Sequence, residues 1–349
     1  MIDVRTLTDG GQSAADVAAA IAAFIDEASR TLDLAHYDFH LSPDRAAVVG
    51  GAISAAAERG VAVRIVYNVD HRNPIPVPPP PEPDAELIAS FGVPNKAVAG
   101  VPDLMHHKYV VRDGEAIWTG SMNWTDDSFT RQENVVVVVR SPDLAAAYAA
   151  NFDELWVTGA VERSGFVEPR TIGIDGRPAR AWFTPGNGED LSARIARAIA
   201  RAKRRVRIAS PVITSGPVLG ALAQAVSDGR VDVAGLVDQT QVLGVVQQWE
   251  ENGNISWKLP LLRRALAERF TGKVSTPWRP EGSVHDFMHA KVTVADDVFF
   301  VGSYNLSRSG ETNAENVLEV ESRHLAERLA AYVDDVRSRY PDVRLEGQP

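Results

Sequence analysis

One spacing of chemically active residue types occurs twice in this 349-residue chain. The first copy runs His106-His107-Lys108, then Asp113, then Gly120-Ser121-Met122-Asn123. The second runs His289-Ala290-Lys291, then Asp296, then Gly302-Ser303-Tyr304-Asn305, with one residue fewer between Asp296 and Gly302. With each residue type used at roughly 5%, one copy arises by chance about once in 10⁸ starting positions, so two copies are a functional signal.

Side chains alternate faces along a strand, so His106 and Lys108 share one face while His107 takes the other. His289 and Lys291 share a face for the same reason. Each copy therefore offers an imidazole beside an ammonium. If a pseudo-two-fold axis brings the copies together, two His and two Lys converge with Asn123 and Asn305, and with Ser121 and Ser303 beside them. Such a cluster suits a phosphodiester. Lys and Asn neutralise the non-bridging oxygens as charge builds in the transition state. One neutral His attacks phosphorus, and the other, protonated, donates to the leaving oxygen. The lysines supply the positive charge, so neither a metal nor another cofactor is expected. His107 and His285 lie close to the motif histidines in sequence, but clustered carboxylates to complete a metal site are missing.

The elements that must position these residues are legible as periodicity. Ser13 reads as a helix N-cap ahead of an apolar stripe at Val17, Ile21, Phe24 and Ile25. A strand near 32–39 follows, then a helix opened by Ser42-Pro43 and closed by Gly60, then a buried strand at 61–67. Asp113-Gly114 is hairpin-turn chemistry between strands at 107–112 and 115–119. A strand at 134–139 and a helix from Ser141 to about Trp156 close the half. The pattern then returns. Leu191, Ile195, Ala198 and Ile199 repeat the first stripe, Val206-Arg207-Ile208 repeats the first strand, and Gly229 ends a second helix before a strand at 231–237. A closing helix spans about 324–340. The chain is therefore an internal duplication. The expected fold is α/β, with two pseudo-symmetric lobes, each a mixed β-sheet flanked by helices. The lobes are placed at residues 1–160 and 181–349, joined by a Gly- and Pro-rich linker at 161–180.

Two segments break the symmetry. Residues 70–85 carry Pro74, Pro76, Pro78 to Pro81 and Pro83, which predict extended polyproline acting as a surface connection or as a rim over the site. Residues 241–270 form a helical insertion ahead of the second motif. Trp124, Phe287 and Met288 adjoin the motifs and read either as core or as the lining of an acyl or base pocket. Arg201, Lys203, Arg204, Arg205 and Arg207 form one basic run, read as a solvated helix end.

Composition narrows the function. A net charge of −10 repels polyanions, which weighs against a non-specific nuclease. Cysteine is absent, which removes disulfides, thiolate nucleophiles and Cys-bound zinc. The start Met1-Ile2-Asp3-Val4-Arg5 lacks the basic and apolar regions of a secretory signal, and a cytoplasmic location is expected.

Taken together, the two stretches resemble the paired signature of the phospholipase D superfamily, a resemblance that extends over nearly the whole chain through the duplicated lobes. It implies that His106 is the nucleophile forming a phosphohistidine and that His289 is the general acid. It implies further that Glu133 (in Gln132-Glu133-Asn134) and Glu315 (in Ala314-Glu315-Asn316) orient catalytic histidines, and that Asp113 and Asp296 support the fold. The shortened second copy leaves Asp297 as an alternative to Asp296. The implied activity is that of a metal-independent phosphodiesterase acting on a phospholipid, by hydrolysis or by transfer to an alcohol. The expected partners are a phospholipid or other phosphodiester and a peripheral membrane surface. A nuclease of the same superfamily and a non-catalytic phosphate-binding module stand as alternatives. Because the duplication supplies both halves of a site, no obligate oligomer is expected.

Overall fold

The computed structural model describes residues 1–71, 83–253, 256–266, 269–277 and 285–346. In the first lobe the chain runs β1 (Ile2–Leu7), α1 (Ala14–Asp26), β2 (Thr31–His36), β3 (Phe39–His40), α2 (Pro43–Glu58), β4 (Ala62–His71) and α3 (Ala85–Ser90). It continues β5 (Asn95–Gly100), β6 (Lys108–Arg112), β7 (Ala116–Gly120), β8 (Trp124–Thr125), α4 (Asp126–Thr130), β9 (Asn134–Arg140) and α5 (Pro142–Thr158). The second lobe begins with β10 (Ile172–Ile174), β11 (Arg177–Phe183), α6 (Gly188–Arg201), β12 (Arg205–Ala209), α7 (Gly216–Asp228), β13 (Asp232–Asp238) and α8 (Gln239–Glu251). It ends with α9 (Lys258–Leu266), β14 (Phe270–Lys273), β15 (Val292–Ala295), β16 (Val298–Gly302), α10 (Arg308–Thr312), β17 (Asn316–Glu321) and α11 (Arg323–Arg337).

The first sheet has the order β1-β9-β7-β6-β2-β4-β5, and the second has β10-β11-β17-β16-β15-β12-β13-β14. Apart from the extra edge strand β10, the two orders correspond strand for strand. In both, the central strand pairs parallel on one side (β2 with β4, β12 with β13) and antiparallel on the other (β2 with β6, β12 with β15). Each sheet is therefore mixed, as the α/β pattern predicts.

Helix chemistry explains which face each helix covers. Ser13 caps α1 by accepting from the Asp16 N–H, and the Val17, Ile21, Phe24 and Ile25 stripe is buried against the first sheet. In the second lobe α6 buries Leu191, Ile195 and Ile199 in the corresponding place. Three cores result. One lies under α1 and α2, and one under α6, α7 and α9. The third lies between the two sheets, where α5 and α11 pack with Tyr109, Phe183, Met105 and Met288. The two lobes share this middle core, which holds the motif strands in fixed relation.

Three expectations need correction. The segment 161–180 is not wholly linker, because its last part forms the β10–β11 hairpin, and β11 adds to the second sheet through β17. Its Gly and Pro residues mark turns: Asp175-Gly176, both at positive φ, is the hairpin tip. The basic run is not simply solvated, since Arg207 is buried and pairs with Asp232 and Asp334, and Arg204 pairs with Asp297. The insertion at 241–270 holds α8 and α9 and then β14, an edge strand of the sheet itself. The Pro-rich stretch falls mostly on residues 72–82, outside the described residues. None of the described helices is long and apolar enough to cross a membrane.

Candidate active site

Each motif histidine stands on the lead-in to a motif strand, β6 or β15, and both lobes hold that lead-in. Asn68 on β4 accepts the Met105 N–H at 2.9 Å, and Asp238 on β13 accepts the Met288 N–H at 3.0 Å. Across the lobe boundary Met105 bridges Ala314, Met288 bridges Glu133, and the His106 N–H donates to the Ala314 carbonyl at 2.9 Å. Every motif segment is thus tied to the segment that follows the opposite motif. That exchange gathers His106, Lys108, His289 and Lys291 into one cluster, with relative exposures of 6%, 1%, 5% and 4%.

The remaining motif residues build the frame. Asp113 and Asp296 stand at the far ends of β6 and β15 from the lysines, about 16 Å away at strand rise. Both take positive φ, 56° and 52°, at the tips of their hairpins. The Asp113 carboxylate accepts the N–H groups of Ser29, Arg30 and Thr31 at 2.7–3.2 Å. Asp296 accepts those of Lys203, Arg204 and Arg205 at 2.8–3.0 Å. Asp296, not Asp297, therefore occupies the position equivalent to Asp113, and the shortened spacing comes from a tighter hairpin tip. Gly302 is required by close approach, because a Cβ there would lie 2.0 Å from the Asn316 carbonyl oxygen.

The two motif serines depart from the phosphate-binding role expected of them. Ser121 donates its hydroxyl proton to Asn134 Oδ1 at 2.7 Å and accepts the Val135 N–H at 3.0 Å. Ser303 accepts the Asn316 N–H at 3.0 Å and bonds to the Glu315 carboxylate. A hydroxyl has one proton to donate, and in both serines it is already engaged. Asn123 and Asn305 differ, since their carboxamide oxygens are buried without a protein partner.

The acids are the largest correction. Glu315 does stand behind a motif histidine, and His106 Nδ1 lies 2.8 Å from both of its oxygens. Glu133 does not. Its carboxylate is held by Lys273 at 3.0 and 3.2 Å and by the Tyr340 hydroxyl. His289 Nδ1 instead donates to Asn134 Oδ1 at 3.2 Å. Sequence reading missed Lys273, Tyr340 and Asn134. The last had a signal, because the pair Glu-Asn follows both motifs, but the first two lie far from either.

Other candidates separate cleanly. His107 faces the middle core, bonded to Asn316 at 3.3 Å and packed edge-on to Phe183. Trp124 and Met288 are fully buried core. Phe287 is half-buried and sits between His285 and His289, with ring centroids 5.3 Å from each. Tyr37, absent from the expected set, packs edge-on to His106 at 4.6 Å and takes the Lys108 ammonium over its ring at 4.7 Å. Among the described residues no group of His, Asp and Glu is arranged to hold a metal ion.

Electrostatics reflect the crowding of buried cations. Burial lowers Lys108 to about 7, partly offset by Glu315 and Asp38. Burial together with Lys108 drives Lys291 well below the usual ammonium range. Both imidazoles lie well below their ordinary value for the same reasons, burial first and the two lysines next. Burial pushes Glu315 up to about 8 against the pull of Lys108. The cluster is short of negative charge, and each lysine directs a proton at the carbonyl of its own motif histidine, at 2.8 and 2.9 Å.

Two duplicated mixed sheets thus pool one His and one Lys from each lobe. The chain belongs to the phospholipase D-like family: the family model described as "Cardiolipin synthase, PLD-like domain" matches residues 21–156 and 195–337. Mitochondrial cardiolipin hydrolase of Chlamydomonas reinhardtii is 29% identical over 136 residues, 38% of this chain and 54% of that one. The chain thus spans about half the length of the curated relatives it matches. Phosphatidylserine synthase of Haemophilus influenzae Rd KW20 shares the fold, with a TM-score of 0.65 at 11% identity, covering 96% of this chain and 86% of that one. Polyphosphate kinase of Porphyromonas gingivalis shares it too, with a TM-score of 0.61 at 13% identity over 96% and 50% of the two chains.

Proposed function

We propose that the protein is a metal-independent phosphodiesterase that cleaves a phospholipid through a phosphohistidine. The observation that carries this reading is the convergence of His106, Lys108, His289 and Lys291 from two lobes into one buried cluster, with Glu315 behind His106. The names of the family model and of the curated relatives support a phospholipid over a nucleic acid, as does the net charge of −10.

The chemistry follows from the hydrogen bonds. His106 holds its Nδ1 proton toward Glu315, which leaves the Nε2 lone pair free to attack phosphorus. The His106 Nε2–P bond forms as the distal P–O bond breaks, and the leaving oxygen takes the Nε2 proton of His289. Lys108 and Lys291, with the carboxamide N–H groups of Asn123 and Asn305 as further donors, stabilise the charge on the non-bridging oxygens. In the second step water, or an alcohol, attacks phosphorus, gives its proton to His289 Nε2, and the P–N bond breaks. Both halves of the site lie in one chain, so a monomer suffices.

The test is a side-by-side assay of cardiolipin-containing vesicles and single-stranded DNA at low salt, with and without a chelator. Chelator-resistant release of headgroup that is abolished in His106→Ala is expected. Cleavage of DNA alone, with a steep salt dependence, would replace the lipid reading with the nuclease; full activity in His106→Ala would remove the mechanism.

A further inference from the structure

The pseudo-symmetry of the lobes makes one local difference informative. Glu133 and Glu315 occupy equivalent positions, each followed by Asn and each immediately before the strand that comes after its motif hairpin. Glu315 turns to His106, whereas Glu133 turns to Lys273. The cause lies in two other residues. Lys273 pairs with Asp238 in the β13–β14 register, and the corresponding partner of Asn68 in the β4–β5 register is Val98, which is apolar and buried. Tyr340 follows α11 at the place where Gly159 follows α5, counted from the matching N-caps Ser322 and Ser141. Lys273 and Tyr340, which hold Glu133, thus correspond to Val98 and Gly159, neither of which has a side chain that could hold Glu315.

Lys273 is built into this place. Its ammonium is buried and has four partners, the two Glu133 oxygens, Asp9 at 3.2 Å and the Arg131 carbonyl at 3.1 Å. The Tyr340 ring lies 5.7 Å from the same ammonium, and the segment that carries Tyr340 is anchored by the Gly272 N–H to Pro341 and by the Val343 N–H to Phe270. The charged and titratable groups acting on His289 are Lys291 and His285 from its own segment and Lys108 and His106 from the other lobe. Glu133, whose backbone bridges Met288, faces away.

We propose that Lys273 and Tyr340 are positioning residues that withhold Glu133 from His289, so that a carboxylate backs one imidazole and a neutral amide backs the other. The inference rests on the phosphodiesterase reading for its consequence. A carboxylate behind an imidazole stabilises the imidazolium and favours the ring as nucleophile and base. A neutral amide leaves the proton easier to give away. The asymmetry therefore fixes the direction of the reaction: His106 attacks and His289 donates.

The test uses the full chain and two readouts. In a histidine-resolved NMR titration, Lys273→Met should raise the midpoint of His289 by about one pH unit or more and leave His106 in place, because the freed Glu133 can turn to the His289 Nδ1–H. Lys273→Met/Glu133→Gln should return His289 to its original midpoint. In the pH–rate profile, Lys273→Met should slow a substrate with an alkyl leaving group at least tenfold more than a p-nitrophenyl substrate. If Lys273→Met fails to fold, Tyr340→Phe is titrated in its place, with a smaller upward shift of His289 expected. A His289 midpoint that moves in neither single variant overturns the proposal. An NMR shift as expected without any phosphodiesterase activity would overturn the function and leave the positioning role standing.

Discussion

Behind the two imidazoles stand different groups, a carboxylate for His106 and an amide for His289, and the consequence is measurable one residue at a time. A general acid matters in proportion to how poor the leaving group is. His289→Ala should therefore lower turnover of an alkyl phosphodiester by about 10²–10⁴-fold. The first-step burst with a p-nitrophenyl diester should fall far less, since p-nitrophenolate leaves without a proton. Rapid-mixing kinetics on both substrates decide the matter, and equal losses would remove His289 from the acid role. The sequence made the four reactive side chains legible because they recur in a fixed local spacing. It could not show which way Glu133 turns, because that depends on Lys273 and Tyr340, which lie far from Glu133 in the chain. The serines misled for a related reason: their neighbours in sequence face the site, but their single protons are taken by groups on the next strand.

Hairpins and helix ends set where the motif strands sit. The motif aspartates act at this scale, each fastening the tip of one hairpin to the three N–H groups that lead into the neighbouring central strand. Charge-assisted hydrogen bonds of this kind contribute about 1.5–3 kcal/mol. Asp113→Ala should accordingly cost about 2 kcal/mol of stability while leaving the site residues in place. Burial raises the Asp113 carboxylate, but the Thr31, Arg30 and Ser29 donors outweigh it and the net shift is downward. With a folded pKa below the unfolded value, the stabilisation is fully present above pH ~4 and is lost as pH falls through the folded pKa. The difference in denaturant midpoint between wild type and Asp113→Ala should therefore be constant from pH 8 to about 5 and shrink below about 4. A gap that persists at low pH would assign the residue some other role. Periodicity made most of these elements legible, since the Ser13, Ser141 and Gly229 signals stand at real helix boundaries. The β10–β11 hairpin escaped because its strands are short and Gly and Pro interrupt any alternation.

At the scale of the whole molecule, two sheets sharing one middle core press four cationic or basic groups together where water is scarce. The second lobe alone would not lower the pKa of Lys291 so far, because Lys108 of the first lobe is itself one of the charges acting on it. The result couples substrate binding to protons. Burial holds Lys108 at about 7, with Lys291 well below its usual range, so near neutral pH part of the cluster is uncharged. A tetrahedral anion placed between the lysines supplies the missing negative charge and raises their pKa values, and the histidines beside them follow. Binding must then take up protons from solution. Sulfate serves as the probe, because it does not titrate in this range. Calorimetry at pH 8 in two buffers of different ionisation enthalpy should give different apparent heats, with the sign of proton uptake. Affinity should weaken by up to about tenfold per pH unit for each proton taken up as pH rises above 7. In Lys108→Met, both the uptake and the affinity should fall. Heats that do not depend on the buffer, together with an affinity unchanged from pH 6.5 to 8.5, would mean that both lysines are already charged before sulfate binds.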